Sequence, residues 1–247
     1  MAGTIEIQAL NVTRGEFTLH VDRLRIEAGE IFAILGATGS GKTVLMESIA
    51  GAFPFNSGKI LLDGKNIENL PLQQRHLGIL YQDYMLFPHL NVYDNIAYGL
   101  KRHRIPNMEI SRRVDTMLEL FSIEHIAQRY PGVISGGEAQ RAALARALVL
   151  EPEILILDEP FSALDPTTKL AMYDLIRNVH EQFDCSIVFV THDFHEAQIL
   201  AHRVGIILDG QLKCVVSAES LFEQKHDPDV MRFLGRPYVL NERVASA

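Results

Sequence analysis

The run Gly36-Ala37-Thr38-Gly39-Ser40-Gly41-Lys42-Thr43 fits GxxxxGK[ST], a spacing suited to gripping phosphate groups. Glycines let successive backbone N–H groups converge on phosphate oxygens, and a helix opening at the end of the loop adds the positive end of its dipole. Lys42 would then hold the β- and γ-phosphates of a nucleotide, and Thr43 would bind the accompanying Mg²⁺. The run stands between an apolar stretch, Ile31 to Leu35, and a helical one, Thr43 to Ala50, as the motif requires.

Two further groupings could act on the same phosphates. Ile154-Leu-Ile-Leu157 leads into Asp158-Glu159, an apolar strand ending in two carboxylates. The first can support Mg²⁺ and the second can polarise an attacking water, so Glu159 is the candidate general base. Ile134-Ser135-Gly136-Gly137-Glu138 is a Ser-Gly-Gly turn that opens another helix and so forms a second anion-binding N-terminus. The first loop already serves one γ-phosphate. The economical reading gives the second turn to a nucleotide bound by another copy of the chain, which predicts a two-fold, head-to-tail dimer.

Strands must end where this chemistry begins. Residues 4–35 read as β-rich: Ile5, Ile7 and Ala9 alternate with polar neighbours, as do Phe17, Leu19 and Val21, and Ile31 to Leu35 has the continuous apolar pattern of a central strand. Gly51 is a plausible stop for the helix after the loop. Gly58 to Leu62 with Asp63-Gly64 predicts a hairpin, and Leu77 to Tyr81 a strand. Helical patterns then occupy Val92–Leu100, Val114–Phe121 and Ala139–Leu150, broken by Pro88, Pro106 and the segment Pro131 to Gly137. From Ile154 strands (154–157, 187–190, 204–208) alternate with helices (167–183, 196–201), which implies a mainly parallel sheet covered on both faces. The expectation is one α/β domain over 1–247. It has a core over 1–82 and 152–225 with an antiparallel N-terminal β-subdomain, an inserted helical subdomain over about 83–151, and a tail over 226–247.

Bulk properties exclude several classes. The 247 residues are 47% hydrophobic, enough for a packed core, yet no apolar run reaches the roughly 18–20 residues of a spanning helix. The N-terminus lacks a secretory pattern, so a cytosolic location is expected. Cys185 and Cys214 lie far apart, and the ten histidines form no metal-binding spacing. A formal charge of −8 argues against a nucleic-acid partner, which would need a basic stripe.

Taken in order, Gly36–Thr43, Gln82, Ser135-Gly-Gly-Glu138, Asp158-Glu159, Ser162-Ala-Leu-Asp165 and His192 resemble the motif set of ATP-binding cassette (ABC) ATPases, over roughly residues 4–225. The resemblance implies a P-loop NTPase core that works with ATP and Mg²⁺. It implies that Gln82 senses Mg²⁺ and the attacking water at the hinge to the helical lobe, that Asp165 lies at the dimer interface, and that His192 contacts the γ-phosphate and positions Glu159. Phe17, the one aromatic residue before the loop outside the Ile31–Leu35 strand, is the choice for stacking on adenine, or else a core residue; the family's aromatic is commonly a Tyr or Trp further upstream. Two departures stand in the signature, Ile134 for the usual Leu and Glu138 for the commoner Gln.

Within the family, Ile34 to Thr43, Tyr81 to His89 and the Ser-Gly-Gly-Glu turn are similar to molybdate and tungstate importer ATPases. That implies a subunit at the inner face of the cell membrane, acting with separate permease subunits and, through them, a substrate-binding protein. Many such subunits continue into a C-terminal regulatory β-domain, which is not expected here. Sulfate, polyamine, iron, amino-acid and lipoprotein-extracting systems use similar cassettes. A soluble ABC ATPase acting on DNA or ribosomes would show two cassettes or a coiled-coil insertion, and a GTPase an NKxD motif; none is found.

Overall fold

The computed structural model describes residues 2–162 and 164–235. In chain order its strands are β1 (Ile5–Arg14), β2 (Phe17–Ile26), β3 (Ile31–Leu35), β4 (Ser57–Leu62), β5 (Lys65–Asn66), β6 (Leu77–Leu80), β7 (Ile154–Asp158), β8 (Ser186–Thr191), β9 (Arg203–Leu208) and β10 (Gln211–Ser217). The α-helices are α1 (Lys42–Ala50), α2 (Val92–Arg102), α3 (Asn107–Leu120), α4 (Gly136–Leu148), α5 (Pro166–Phe183), α6 (Phe194–Leu200) and α7 (Pro228–Phe233).

Antiparallel β1 and β2 set buried residues opposite one another: Ile5 and Ile26, Ile7 and Leu24, Leu10 and Val21, Val12 and Leu19. Each such side chain withdrawn from water contributes ~1.5–3 kcal/mol. The expected alternation through Ala9 is corrected here. Ala9 is exposed and left-handed, with φ 47, at a bulge against β4 between Gln8 and Asn11. A bulge turns the following side chains over, so burial passes to Leu10 and Val12. Gly58 makes room for it: a Cβ there would lie 2.5 Å from the Ala9 carbonyl oxygen.

The neighbours β9-β3-β8-β7-β6 are all parallel, and β3, β7 and β8 are buried along their whole length. Their alternate residues feed two cores. Ala33, Leu35, Leu155, Leu157, Ile187 and Phe189 pack with α2–α6. Phe32, Ile34, Ile154, Ile156, Val188 and Val190 pack with α1 and the β1–β2 ribbon. Strand β10, absent from the sequence reading, runs antiparallel to β9 and touches β2 at Gln211–His20, which joins parallel and antiparallel parts into one ten-stranded sheet.

Between β6 and β7 the chain is helical. Val92, Ile96 and Leu100 of α2, Val114 and Leu118 of α3, and Leu144 and Leu148 of α4 are buried in one cluster. Within the expected tail, α7 docks Phe233 on Phe194 of α6, ring centroids 5.1 Å apart; residues 236–247 lie outside the described residues. Among the described residues no helix is long and apolar enough to cross a membrane.

Candidate functional site

Because β3, β6, β7 and β8 point the same way, the residues following them share one edge of the sheet, where α/β proteins bind ligands. At the end of β3 the loop Gly36–Gly41 swings into α1. Gly41 is the N-cap, with φ 108 and no side-chain cap bond. A Cβ on it would lie 2.9 Å from the Phe17 ring. Glycine therefore serves the backbone angle and the ring contact together, and the first N–H groups of α1 are left for a ligand.

Lys42 is buried, and its Nζ donates to the carbonyls of Gly36 (2.8 Å) and Ala37 (3.0 Å). Burial lowers its pKa, and the neighbouring Glu159 and Asp158 charges oppose that shift. Thr43 is exposed on the first turn of α1, as are Ala37, Thr38 and Gly39 along the loop, while Gly36 and Ser40 are buried. A cleft of about 390 Å³ lined by Arg14, Phe17, Gly39, Gly41, Lys42, Thr43 and Val44 adjoins the loop. The β1–β2 ribbon thus places half-buried Phe17 beside the Gly36–Gly41 loop.

Asp158 ends β7 in a buried position, and its pKa is raised to about 6, first by burial and then by the Glu159 charge. Glu159 follows with φ 43, a left-handed conformation costing a non-glycine residue ~1–3 kcal/mol. Its N–H donates to the Val190 carbonyl at 3.0 Å, and its own carbonyl accepts from Ser162 Oγ at 3.0 Å. Those bonds hold the strained turn. His192 follows β8 with its Nδ1 3.5 Å from a Glu159 carboxylate oxygen, at the outer limit of a hydrogen bond. Gln82 is exposed in the turn after β6, the strand beside β7.

The Ser135 turn opens α4, in the helical layer. Ser135 caps α4 in a capping box: Glu138 accepts from the Ser135 N–H and hydroxyl, both at 2.7 Å, and the Glu138 N–H donates back at 3.3 Å. His125 stands 3.1 Å from the other Glu138 oxygen. These bonds, the Ser135 ones foremost, hold Glu138 below the usual carboxylate range. Asp165 caps α5 by accepting from the N–H groups of Thr167 and Thr168. A Cβ built on Gly137 would stand 3.9 Å from the Thr168 methyl, so the Gly136-Gly137 turn and the Asp165 cap are neighbours. Ala163 lies outside the described residues.

Residues 19–162 match the ABC transporter family. The chain is 42% identical over 231 residues, 94% of its own length and 67% of the relative's, to the molybdate/tungstate import ATP-binding protein WtpC of Pyrococcus horikoshii. It is 41% identical over 234 residues, 94% and 68% of the two lengths, to the sulfate/thiosulfate import ATP-binding protein CysA of Nephroselmis olivacea. The fold is similar to cbiO1 from Clostridium perfringens, part of the ABC transporter complex cbiONQ (TM-score 0.82, 29% identity, 94% of both chains). It is also similar to the ATP-binding cassette MJ0796 in a dimeric post-hydrolysis state bound to ADP and Pi (TM-score 0.77, 26% identity, 87% of this chain and 98% of that one). The chain belongs to the ABC transporter family. It is an ATPase of the ATP-binding cassette type.

In this ABC cassette two helical-layer residues that the motif reading missed shape the segment after Gln82. Tyr84 and Met85 are both left-handed (φ 58 and 47), and Arg146, near the end of α4, donates to their carbonyls at 3.1 and 2.8 Å. Asn95 of α2, fully buried, donates to the carbonyls of Phe87, Leu90 and Asn91 and accepts from the Phe87 N–H. The signal available in sequence was a polar residue on an otherwise apolar helix face, which says that a partner exists but not which one. Helix α4 therefore joins the Ser135 turn at one end to the Gln82 segment at the other. A groove of about 550 Å³ opens between α2 and the segment that follows α4, with Leu72, Tyr98 and Leu150 on its exposed apolar rim.

Proposed function

We propose that this ATPase drives import of a tetrahedral dianionic oxyanion, molybdate or tungstate, as a head-to-tail pair bound to separate permease subunits at the inner face of the cell membrane. The observation that carries the ATPase mechanism is the convergence of Lys42, Asp158, Glu159 and His192 at the ends of three adjacent strands, while among the described residues the side-chain hydrogen bonds of the Ser135 turn go to Glu138 and to none of those four. Two copies close over two ATP molecules, each held by residues Gly36–Thr43 of one copy and Ser135, Gly136 and Gly137 of the other, with Glu138 behind that turn and Asp165 at the seam. Phe17, beside the cleft next to the loop, stacks on adenine.

Glu159 polarises the attacking water, and His192 orients Glu159 and donates toward the γ-phosphate. Lys42 exchanges its two loop carbonyls for phosphate oxygens and offsets the charge that develops on them. The buried Asp158 carboxylate at the end of β7, within the field of Lys42 and Glu159, is the hard oxygen ligand that a divalent cation takes. Thr43, Asp158 and Gln82 would hold Mg²⁺, which when bound neutralises charge on the β- and γ-phosphates. Closure moves the helical layer through the Gln82 segment, and the apolar groove receives a permease helix. A substrate-binding protein delivers the oxyanion, which this chain does not touch.

The substrate class rests on relatives named for molybdate/tungstate import. Sulfate is the second reading, favoured by relatives of almost equal identity named for sulfate/thiosulfate import. The test is to co-purify the subunit with its permease and binding protein, reconstitute them, and compare ATPase rates with tungstate, molybdate, sulfate and no anion. Stimulation by tungstate and molybdate is expected. Stimulation by sulfate alone would replace the substrate reading, and indifference to all three would discard the oxyanion class.

A further inference from the structure

The turn that presents His192 is held from behind by residues with no part in the chemistry above. Thr191, the buried last residue of β8, shares a short hydrogen bond with one Glu196 carboxylate oxygen, and its Oγ1 accepts the Asp193 N–H at 3.0 Å. The second Glu196 oxygen accepts from Lys169 Nζ at 2.7 Å, and that ammonium stands 3.7 Å from the Asp193 carboxylate. The Glu196 side chain is only 4% exposed. Both neighbours of His192 are thereby fastened to one ion pair.

The pair also reaches the proposed dimer seam. Lys169 lies in the first turns of α5, and its N–H donates to the Asp165 carbonyl at 2.9 Å. Between the ion pair and the reacting groups is a cavity of about 50 Å³ lined by Glu159, Ser162, Lys169, Thr191, His192 and Glu196, room for about one water. A buried carboxylate committed on both oxygens is rigid, and removing its cation leaves an uncompensated charge that pulls the surroundings out of place.

We infer that Glu196 and Lys169 are positioning residues for hydrolysis: they fix His192 against Glu159 and tie that placement to the α5 cap at Asp165. A shift of α5 as two copies close is carried by one salt bridge to the His192 turn. The inference rests on the role given to His192 above.

The test is a mutant cycle on the full chain, reading kcat and KM for ATP, nucleotide affinity and melting temperature. Lys169→Met is expected to lower kcat about 10- to 100-fold, the cost of a misplaced catalytic group, with KM and nucleotide affinity changed less than about twofold. Lys169→Arg, which keeps the cation, should restore most of the rate. In a His192→Ala background Lys169→Met should cost nothing further, because its effect passes through His192. Glu196→Gln should behave like Lys169→Met. A wild-type kcat in Lys169→Met, or losses that multiply in the double variant, overturns the inference and leaves the role of His192 standing. An unchanged kcat in His192→Ala overturns both.

Discussion

Two helices of this protein open on glycine-rich turns, and their N-termini are finished differently. Helix α1 has Gly41 as a cap without a side-chain acceptor, and Lys42 is parked on loop carbonyls. Helix α4 closes on itself: Glu138 takes the Ser135 N–H and hydroxyl, and Ser135 takes the Glu138 N–H. The first terminus is open to an anion within one chain. The second carries its own carboxylate, and in the proposed two-copy scheme it exchanges that contact for a phosphate brought by another copy. In that scheme the difference separates a site that binds alone from a site that completes a dimer.

The largest break in this comparison is expected from Glu159→Gln, which spares both termini and removes the proposed base. Hydrolysis should fall ~10²–10⁴-fold, and the variant should accumulate as an ATP-bound dimer by light scattering. A monomer would sink the two-site scheme. Lys42→Ala and Ser135→Arg then separate the termini. The former should abolish nucleotide binding measured by calorimetry. The latter should keep binding by the single subunit but lose hydrolysis by about 100-fold, because closure positions the last phosphate contacts. Equal loss of binding in both would make the Ser135 turn part of the same-chain site.

Asp158 sharpens the comparison through pH. Its pKa is raised in the fold from 3.8 to about 6, so its stabilising contribution is present below pH 3.8 and lost as pH climbs through about 6. The loss amounts to ~3 kcal/mol at most. Asp158→Asn, which cannot ionise, should therefore melt at a higher temperature than the nucleotide-free wild type at pH 7.5. The gap should shrink toward pH 5; a gap independent of pH would refute this account. The smallest effect belongs to Glu138→Gln. Weakening a charged capping box should cost ~0.5–1 kcal/mol of stability while easing the exchange at Ser135. Unchanged ATPase kinetics would show that the carboxylate does not compete.

Much of this was legible in the chain because its cause is local. An apolar run must become a central strand, and Gly36–Thr43 after Ile31–Leu35 must become a loop entering a helix. Asp63-Gly64, left-handed at both positions, closes the predicted hairpin. Other features were illegible because their cause is distant. Ala9 leaves the buried face through a bulge that Gly58 permits from another strand. Strand β10 has no strong alternation, with every residue from Leu212 to Val216 half-buried, and exists by pairing with β9.

The sequence by itself determined which groups could grip phosphate and which strands would end in them, because those properties follow from residue type and spacing along the backbone. The tertiary structure alone decided that Phe17 meets the loop at Gly41, that His192 faces Glu159, that Arg146 shapes the turn after Gln82, and that Lys169 and Glu196 brace the His192 turn. Those contacts join residues distant along the chain. They are set by sheet order and helix packing, which no local spacing encodes.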